Sequence, residues 1–105
     1  MDQATRDYLK AQMDRSIELL PQHMRGGFYR YVLDRIEGGS FMTAVLANDL
    51  KGAYQRADHI NKLALPQIVE FIVSTLPIGC HGSHEKVQAW LNAEDENTID
   101  EVEHE

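Results

Sequence analysis

The segment that decides the fold is residues 59–76, which read HINKLALPQIVEFIVSTL. Its apolar residues recur at spacings of three and four, as they do on an amphipathic helix. They are Leu65, Ile68, Val69, Ile72, Val73 and Leu76. Asp58 can cap this helix, and Pro66 either kinks it or splits it. The β-branched residues would also suit a strand, but a helix is favoured because the sequence offers no second strand to pair with it.

Five further helices are predicted on either side of this central core helix. They cover residues 3–20, 22–37, 41–47, 50–57 and 84–92. Pro21 ends the first helix, and the glycine pair Gly38-Gly39 ends the second. The last three have good N-cap residues in Ser40, Asp49 and Ser83. The sequence therefore predicts an all-α fold, a compact bundle of about five or six helices.

Charge divides the chain of 105 residues into two parts. Residues 93–105 contain seven acidic residues and no lysine or arginine, so they carry the whole net charge of −7. Such a segment has too few apolar residues to form a core, and we expect a disordered acidic tail. Residues 1–92 are neutral overall and form the single predicted domain. One cysteine and no apolar run of about 20 residues fit a cytoplasmic protein with no membrane span.

The most metal-like cluster in the chain is Cys80-His81-x-x-His84-Glu85. Zinc needs three or four ligands in a fixed geometry, and no second Cys or His pair completes a standard spacing. Cys80 could act as a nucleophile with His81 or His84 as its base, but residues so close in sequence rarely place base and nucleophile in reach, and no orienting third group is evident. We therefore predict no metal, no cofactor and no catalytic residue, which makes this chain a non-enzymatic protein.

The second predicted helix interleaves aromatic and basic residues. Arg25, Tyr29, Arg30 and Arg35 could together stack on bases and pair with phosphates. Against this, Asp34 lies four residues after Arg30, where an ion pair would use its charge. Binding of nucleic acid or a nucleotide by this Arg/Tyr face is the alternative function.

The short helix at residues 41–47 is apolar on two adjacent faces. Phe41 and Val45 can point into the core together, which leaves a second face about 100° away. Some of that second face is expected at the surface, where contiguous apolar groups favour a partner or a homodimer. The predicted partner-binding residues are Met42, Leu46, Asn48 and Asp49.

Several blocks of sequence also resemble a family of small accessory proteins of bacteriophages and prophages. They are Gly39-Ser40-Phe41-Met42-Thr43-Ala44-Val45-Leu46 with Asn48-Asp49-Leu50; Arg56-Ala57-Asp58 with Asn61; Leu65-Pro66 with Ile68-Val69 and Phe71; and Cys80 with Gly82-Ser83, Glu85-Lys86-Val87 and Trp90. His23-Met24-Arg25 and Arg30-Tyr31 extend the pattern upstream. The resemblance implies a phage-encoded protein in the bacterial cytoplasm. We expect it to bind a host protein and to inhibit a host process or a defence system.

Overall fold

The computed structural model describes residues 1–93, and within this range it contains six α-helices and no strand. The helices are α1 (Gln3–Ser16), α2 (Gln22–Asp34), α3 (Ser40–Leu46), α4 (Leu50–Arg56), α5 (His59–Thr75) and α6 (His84–Asn92). Short 3₁₀ turns at Ile17–Leu19 and Ile78–Cys80 follow α1 and α5. The predicted all-α class is confirmed. From residue 94 onward, the predicted acidic tail lies outside the described residues.

Three of the four helix starts for which the sequence predicted a side-chain cap have that cap, and the predicted cap Ser40 is wrong. Asp49 accepts from the backbone N–H of Gly52 at 2.9 Å, and Asp58 accepts from that of Asn61 at 2.8 Å. Ser83 caps α6 in the same way. At α3 the cap position is Gly39, and Ser40 is already the first helical residue. Capping satisfies N–H groups that have no partner inside the helix, which is why this local signal located three of the starts.

Helix α5 runs through Pro66 as one element, so of the two expected outcomes, a kink or a split, the split does not occur. Its core face carries Ile68, Phe71 and Ile72, and the ring of Phe71 meets that of Phe28 on α2 edge-to-face at 5.4 Å. The expectation that Val69 and Val73 belong to the core is wrong. Both are exposed, because the buried stripe passes through positions 61, 68, 71 and 72.

Two helices end earlier than predicted. Helix α1 stops at Ser16 and continues as a 3₁₀ turn. Helix α2 stops at Asp34 because Arg35 takes a left-handed conformation, with φ of 56°. Its N–H still bonds to the carbonyls at the end of the helix, as in a helix-terminating turn. As a consequence Ile36, which follows the buried Val32 by four residues, is about half exposed.

The exposure expected for Met42 and Leu46 is also wrong, since both side chains are buried. Met42 lies against two glycines: a Cβ on Gly38 would come within 2.6 Å of its sulfur, and one on Gly27 within 3.4 Å. Leu46 is covered by the turn before α6, where Gly82 donates its N–H to the Leu46 carbonyl at 2.7 Å. A helix of seven residues is thus enclosed on both faces, because its neighbours approach it closely.

Helix α6 is fastened to α2 through one aromatic side chain. The indole nitrogen of Trp90 donates to the carbonyl of Tyr31 at 3.1 Å. The Arg35 guanidinium lies 4.2 Å from the Trp90 ring centroid and donates to the Trp90 carbonyl at 2.7 Å. None of the helices in residues 1–93 is both long and apolar enough to cross a bilayer.

Candidate binding surfaces

An exposed apolar surface lies where α4 begins beside the second half of α5. It consists of Leu50, Val69 and Val73, with exposed fractions of 72%, 43% and 69%, and is called here the docking surface. Val69 and Val73 are one turn apart on the flank of α5 next to its core stripe. Leu50 is the first residue of α4 and is exposed, whereas Gly52 and Ala53 in the next turn are buried.

Two depressions make the docking surface continuous. One of about 50 Å³ includes Leu50 and Val69 in its lining, and one of about 280 Å³ includes Val69 and Val73. Val45 and Asn48 contribute to both. The apolar side chains therefore form one patch, whereas most exposed apolar residues of soluble proteins are scattered singly.

The rim of the docking surface is polar and includes a fixed negative charge. Asp49 uses one carboxylate oxygen to cap α4, and its other oxygen lies 3.3 Å from Nε2 of His84. The backbone N–H of Gly52 is the main cause of a lowered Asp49 pKa, and the His84 hydrogen bond lowers it further. Asn48 beside it is exposed and adopts a left-handed conformation, with φ of 61°. An incoming partner therefore meets apolar side chains next to a carboxylate.

The predicted partner-binding residues divide into two groups. Asn48 and Asp49 lie at the rim of the docking surface, but Met42 and Leu46 are core residues and contribute no exposed side chain to it. The helical spacing alone did not separate the missed residues from the core. The six apolar positions in residues 65–76 lie on one broad face of α5, and the neighbouring helices decide which edge of that face is exposed.

The residues of the predicted Arg/Tyr face are not collected on one binding surface. Arg25 donates to the carbonyl of Leu20 at 3.1 Å, and the hydroxyl of Tyr29 donates to the Asp14 carboxylate. The guanidinium of Arg35 lies over the Trp90 ring and donates to the Trp90 carbonyl. These contacts leave Arg30 as the one member of this face without a hydrogen-bond or ion-pair partner among residues 1–93. Asp34 pairs with Arg6 at 2.9 Å, so the expected pair between Arg30 and Asp34 is wrong.

A separate cleft of about 450 Å³ opens beside Arg30. It lies between α2, the connection from α2 to α3, and the start of α5. At one wall, Nε2 of His23 lies 3.1 Å from Oδ1 of Asn61, which is the one buried polar residue of the described chain. The sequence signal for this pair was weak: Asn61 occupies a polar position in register with the apolar stripe of α5. The cleft shares no lining residue with the docking surface.

The Cys80 cluster does not form a reactive site within residues 1–93. Cys80 is fully buried, and burial raises the pKa of its thiol to about 12, so it stays protonated at neutral pH. His81 is partly buried, and this burial is the main reason why its pKa is lowered. His84 pairs with Asp49 at the rim of the docking surface. No three His, Cys, Asp or Glu side chains of the described range are placed to hold a metal ion.

Comparisons of this chain with family models, with curated protein sequences and with solved structures give no match.

Proposed function

We propose that this chain is a non-enzymatic protein that acts by binding another protein through its docking surface. One observation carries the proposal: Leu50, Val69 and Val73 form a contiguous exposed apolar patch across two helices. Keeping such a patch in water is unfavourable, and its burial against a partner would release about 25 cal/mol for each Å² covered. Asn48 and Asp49 at the rim would then orient the partner by hydrogen bonds and charge.

The resemblance to phage and prophage accessory proteins suggests the kind of partner. We infer a bacterial host protein in the cytoplasm, bound stoichiometrically so that a host process or a defence system is inhibited. The fixed carboxylate of Asp49 favours a partner whose contact region combines apolar side chains with a basic or hydrogen-bond-donating group. A second copy of this chain is the other candidate occupant of the docking surface, and it would make a homodimer.

The nucleic-acid alternative has less support. Of its four residues, only Arg30 is without an internal partner in residues 1–93. Residues 1–92 carry no net charge, and binding of a phosphate backbone depends on neutralising many phosphates with Lys and Arg.

A double substitution tests the proposal without changing the net charge. Leu50→Asp with Val73→Lys places an acid in the first turn of α4 and a base near the end of α5, where each suits the helix dipole. The matched control is Tyr8→Asp with Ile78→Lys, which alters two exposed apolar residues outside the docking surface. The native chain, the variant and the control would each be used as bait in bacterial lysate, and the retained proteins identified by mass spectrometry.

The proposal expects a protein that the native chain and the control retain and that the double variant loses. Its purified form should bind the native chain with an affinity that falls only modestly with salt, since the apolar contacts are not screened and only the rim contact of Asp49 is. Sedimentation of each purified chain without any partner shows whether the docking surface forms a homodimer instead. In that case the native chain and the control would form dimers, and the double variant would not. Equal retention by all three, with no self-association, would count against the docking surface.

A further inference from the structure

We propose that the cleft beside Arg30 is a second site, which binds a small organic anion. The ligand class is a metabolite-sized molecule with a phosphate or carboxylate group and an apolar part. This site is independent of the docking surface, because the two have no residue in common and lie at opposite ends of α3. The volume of about 450 Å³ is within the range of small-molecule sites, roughly 300–1,000 Å³.

The first observation is a buried amide that is only half satisfied. Asn61 is 9% exposed, and its side-chain oxygen is 3.1 Å from Nε2 of His23. Its amide nitrogen has no acceptor among residues 1–93. Buried polar groups are normally paired, because leaving one unpaired costs about 1–3 kcal/mol. Since Asn61 lines the cleft, an acceptor on a bound ligand would complete its hydrogen bonding.

The second observation is an arginine that the helix leaves unpaired in the same cleft. His23, Gly27 and Arg30 lie on one face of α2, at spacings of four and three. Gly26 makes room for the guanidinium, because a Cβ at this position would lie 3.0 Å from Nη1 of Arg30. This approach accounts for a glycine at position 26, which inside a helix otherwise costs about 1 kcal/mol relative to alanine. Arginine in this position can bind a phosphate or a carboxylate with two parallel hydrogen bonds.

The remaining lining restricts the ligand further. Met24, Phe41 and Met42 contribute apolar atoms to the cleft, and thioether side chains adapt to irregular shapes. Glu37 also lines it and would repel an anion at its own end. The ligand therefore places its anionic group toward Arg30 and Asn61, its apolar part on the methionines, and a hydrogen-bond donor toward Glu37. An inorganic anion alone satisfies only the first of these.

Titration of the full chain by NMR tests the site with defined probes. The organic anions are AMP, GMP, CMP and UMP for the phosphates and N-acetylphenylalanine for the carboxylates, and adenosine is the uncharged comparison. Arg30→Gln removes the cationic partner. Lys51→Gln is the matched control, since it removes the same charge from an exposed residue outside the cleft. Gly26→Ala is a third variant, because its methyl group would displace the Arg30 guanidinium.

At least one organic anion should shift the backbone amides around residues 23–42 and 61 in a saturable way. Arg30→Gln should bind the anion about tenfold more weakly than the native chain does, or weaker still, because it loses a charge-assisted contact. Adenosine, which has no anionic group, should bind the native chain more weakly than AMP by a similar factor. Lys51→Gln should bind like the native chain. Gly26→Ala should melt no lower than the native chain and still bind more weakly, which a merely structural glycine would not explain. Saturation by no probe, or equal affinity of Arg30→Gln, would overturn the proposal.

Discussion

The hydroxyl of Tyr31 on α2 donates a hydrogen bond of 2.7 Å to the backbone carbonyl of Cys80, and both residues are fully buried. The same Tyr31 accepts from the indole of Trp90 through its own carbonyl. One residue of α2 is therefore bonded both to the turn after α5 and to α6. These two contacts connect parts of the chain 49 and 59 residues apart. They hold α6 on the bundle although α6 has only one fully buried side chain, Val87.

Tyr31→Phe should destabilise the protein by about 1–3 kcal/mol, because the substitution keeps the ring and leaves the buried Cys80 carbonyl without its donor. The free energy of unfolding measured by urea denaturation checks this value. Tyr8→Phe is the matched control: Tyr8 is 62% exposed, and its loss of a hydroxyl should change stability by less than about 0.5 kcal/mol. Equal stability of Tyr31→Phe and Tyr8→Phe would contradict the role given to this hydrogen bond.

Stability should fall as the pH rises above about 9. Burial raises the pKa of the Cys80 thiol from 9.0 to about 12, and burial followed by the Asp14 hydrogen bond raises that of Tyr29 to about 12. At a pH between the ordinary pKa of each group and its raised pKa, the folded state keeps a proton that the unfolded state releases. Alkaline pH therefore favours unfolding. The thiol alone should remove about 2 kcal/mol between roughly pH 8 and pH 10.5. Urea denaturation at both pH values measures the loss.

Cys80→Ala is the comparison for the alkaline experiment. It should lower stability at every pH, because it leaves a small cavity, but it should flatten the decline above pH 9. An unchanged slope would mean that Tyr29 and Tyr31, whose pKa values burial also raises, carry the effect and that the thiol does not.

The sequence predicted the helices better than it predicted their faces. Helical spacing and capping residues are local signals, and they located α4, α5 and α6 to within a residue or two. Which side of a helix is buried depends on the neighbours that pack against it. At Met42 the neighbours include Gly38 and Gly27, from two other segments, and nothing in the spacing of α3 indicates their approach. The cleft was missed for the same reason: His23 and Asn61 are 38 residues apart.

Met42→Asp with Leu46→Asp should unfold the protein rather than abolish binding from a folded state. Each substitution buries a charge without a partner, and such changes are among the most destabilising in proteins. Leu46→Ala alone should cost about 2–5 kcal/mol, since Leu46 is 1% exposed. Circular dichroism and urea denaturation give both results. A folded double variant would show that α3 can leave the core, and would restore Met42 and Leu46 as candidates for the partner surface.

Asn48→Gly should separate the structural role of Asn48 from its role in binding. The backbone at Asn48 has a φ of 61°, which glycine adopts without strain, so thermal stability should stay nearly unchanged. Asn48→Val should lower stability by about 1 kcal/mol or more, because a β-branched residue is strained there. If the side chain of Asn48 orients a partner at the docking surface, Asn48→Gly should weaken partner binding while the fold remains stable. If Asn48→Gly binds the partner as tightly as the native chain does, then of these two rim residues Asp49 alone contributes to the affinity.

Removal of the acidic segment should leave the folded domain intact. A truncation after Asn92 keeps all of α6 and deletes seven acidic residues and no Lys or Arg. Surface and tail changes are normally worth less than about 0.5 kcal/mol, so the melting temperature should stay within about one or two degrees. A truncation after Ala89 is the informative comparison, because it also removes Trp90 and its contacts with Tyr31 and Arg35. That chain should melt much lower. A large loss on truncation after Asn92 would instead show that the acidic segment packs on the domain, whereas loss of partner binding alone would assign it an electrostatic role toward a basic target.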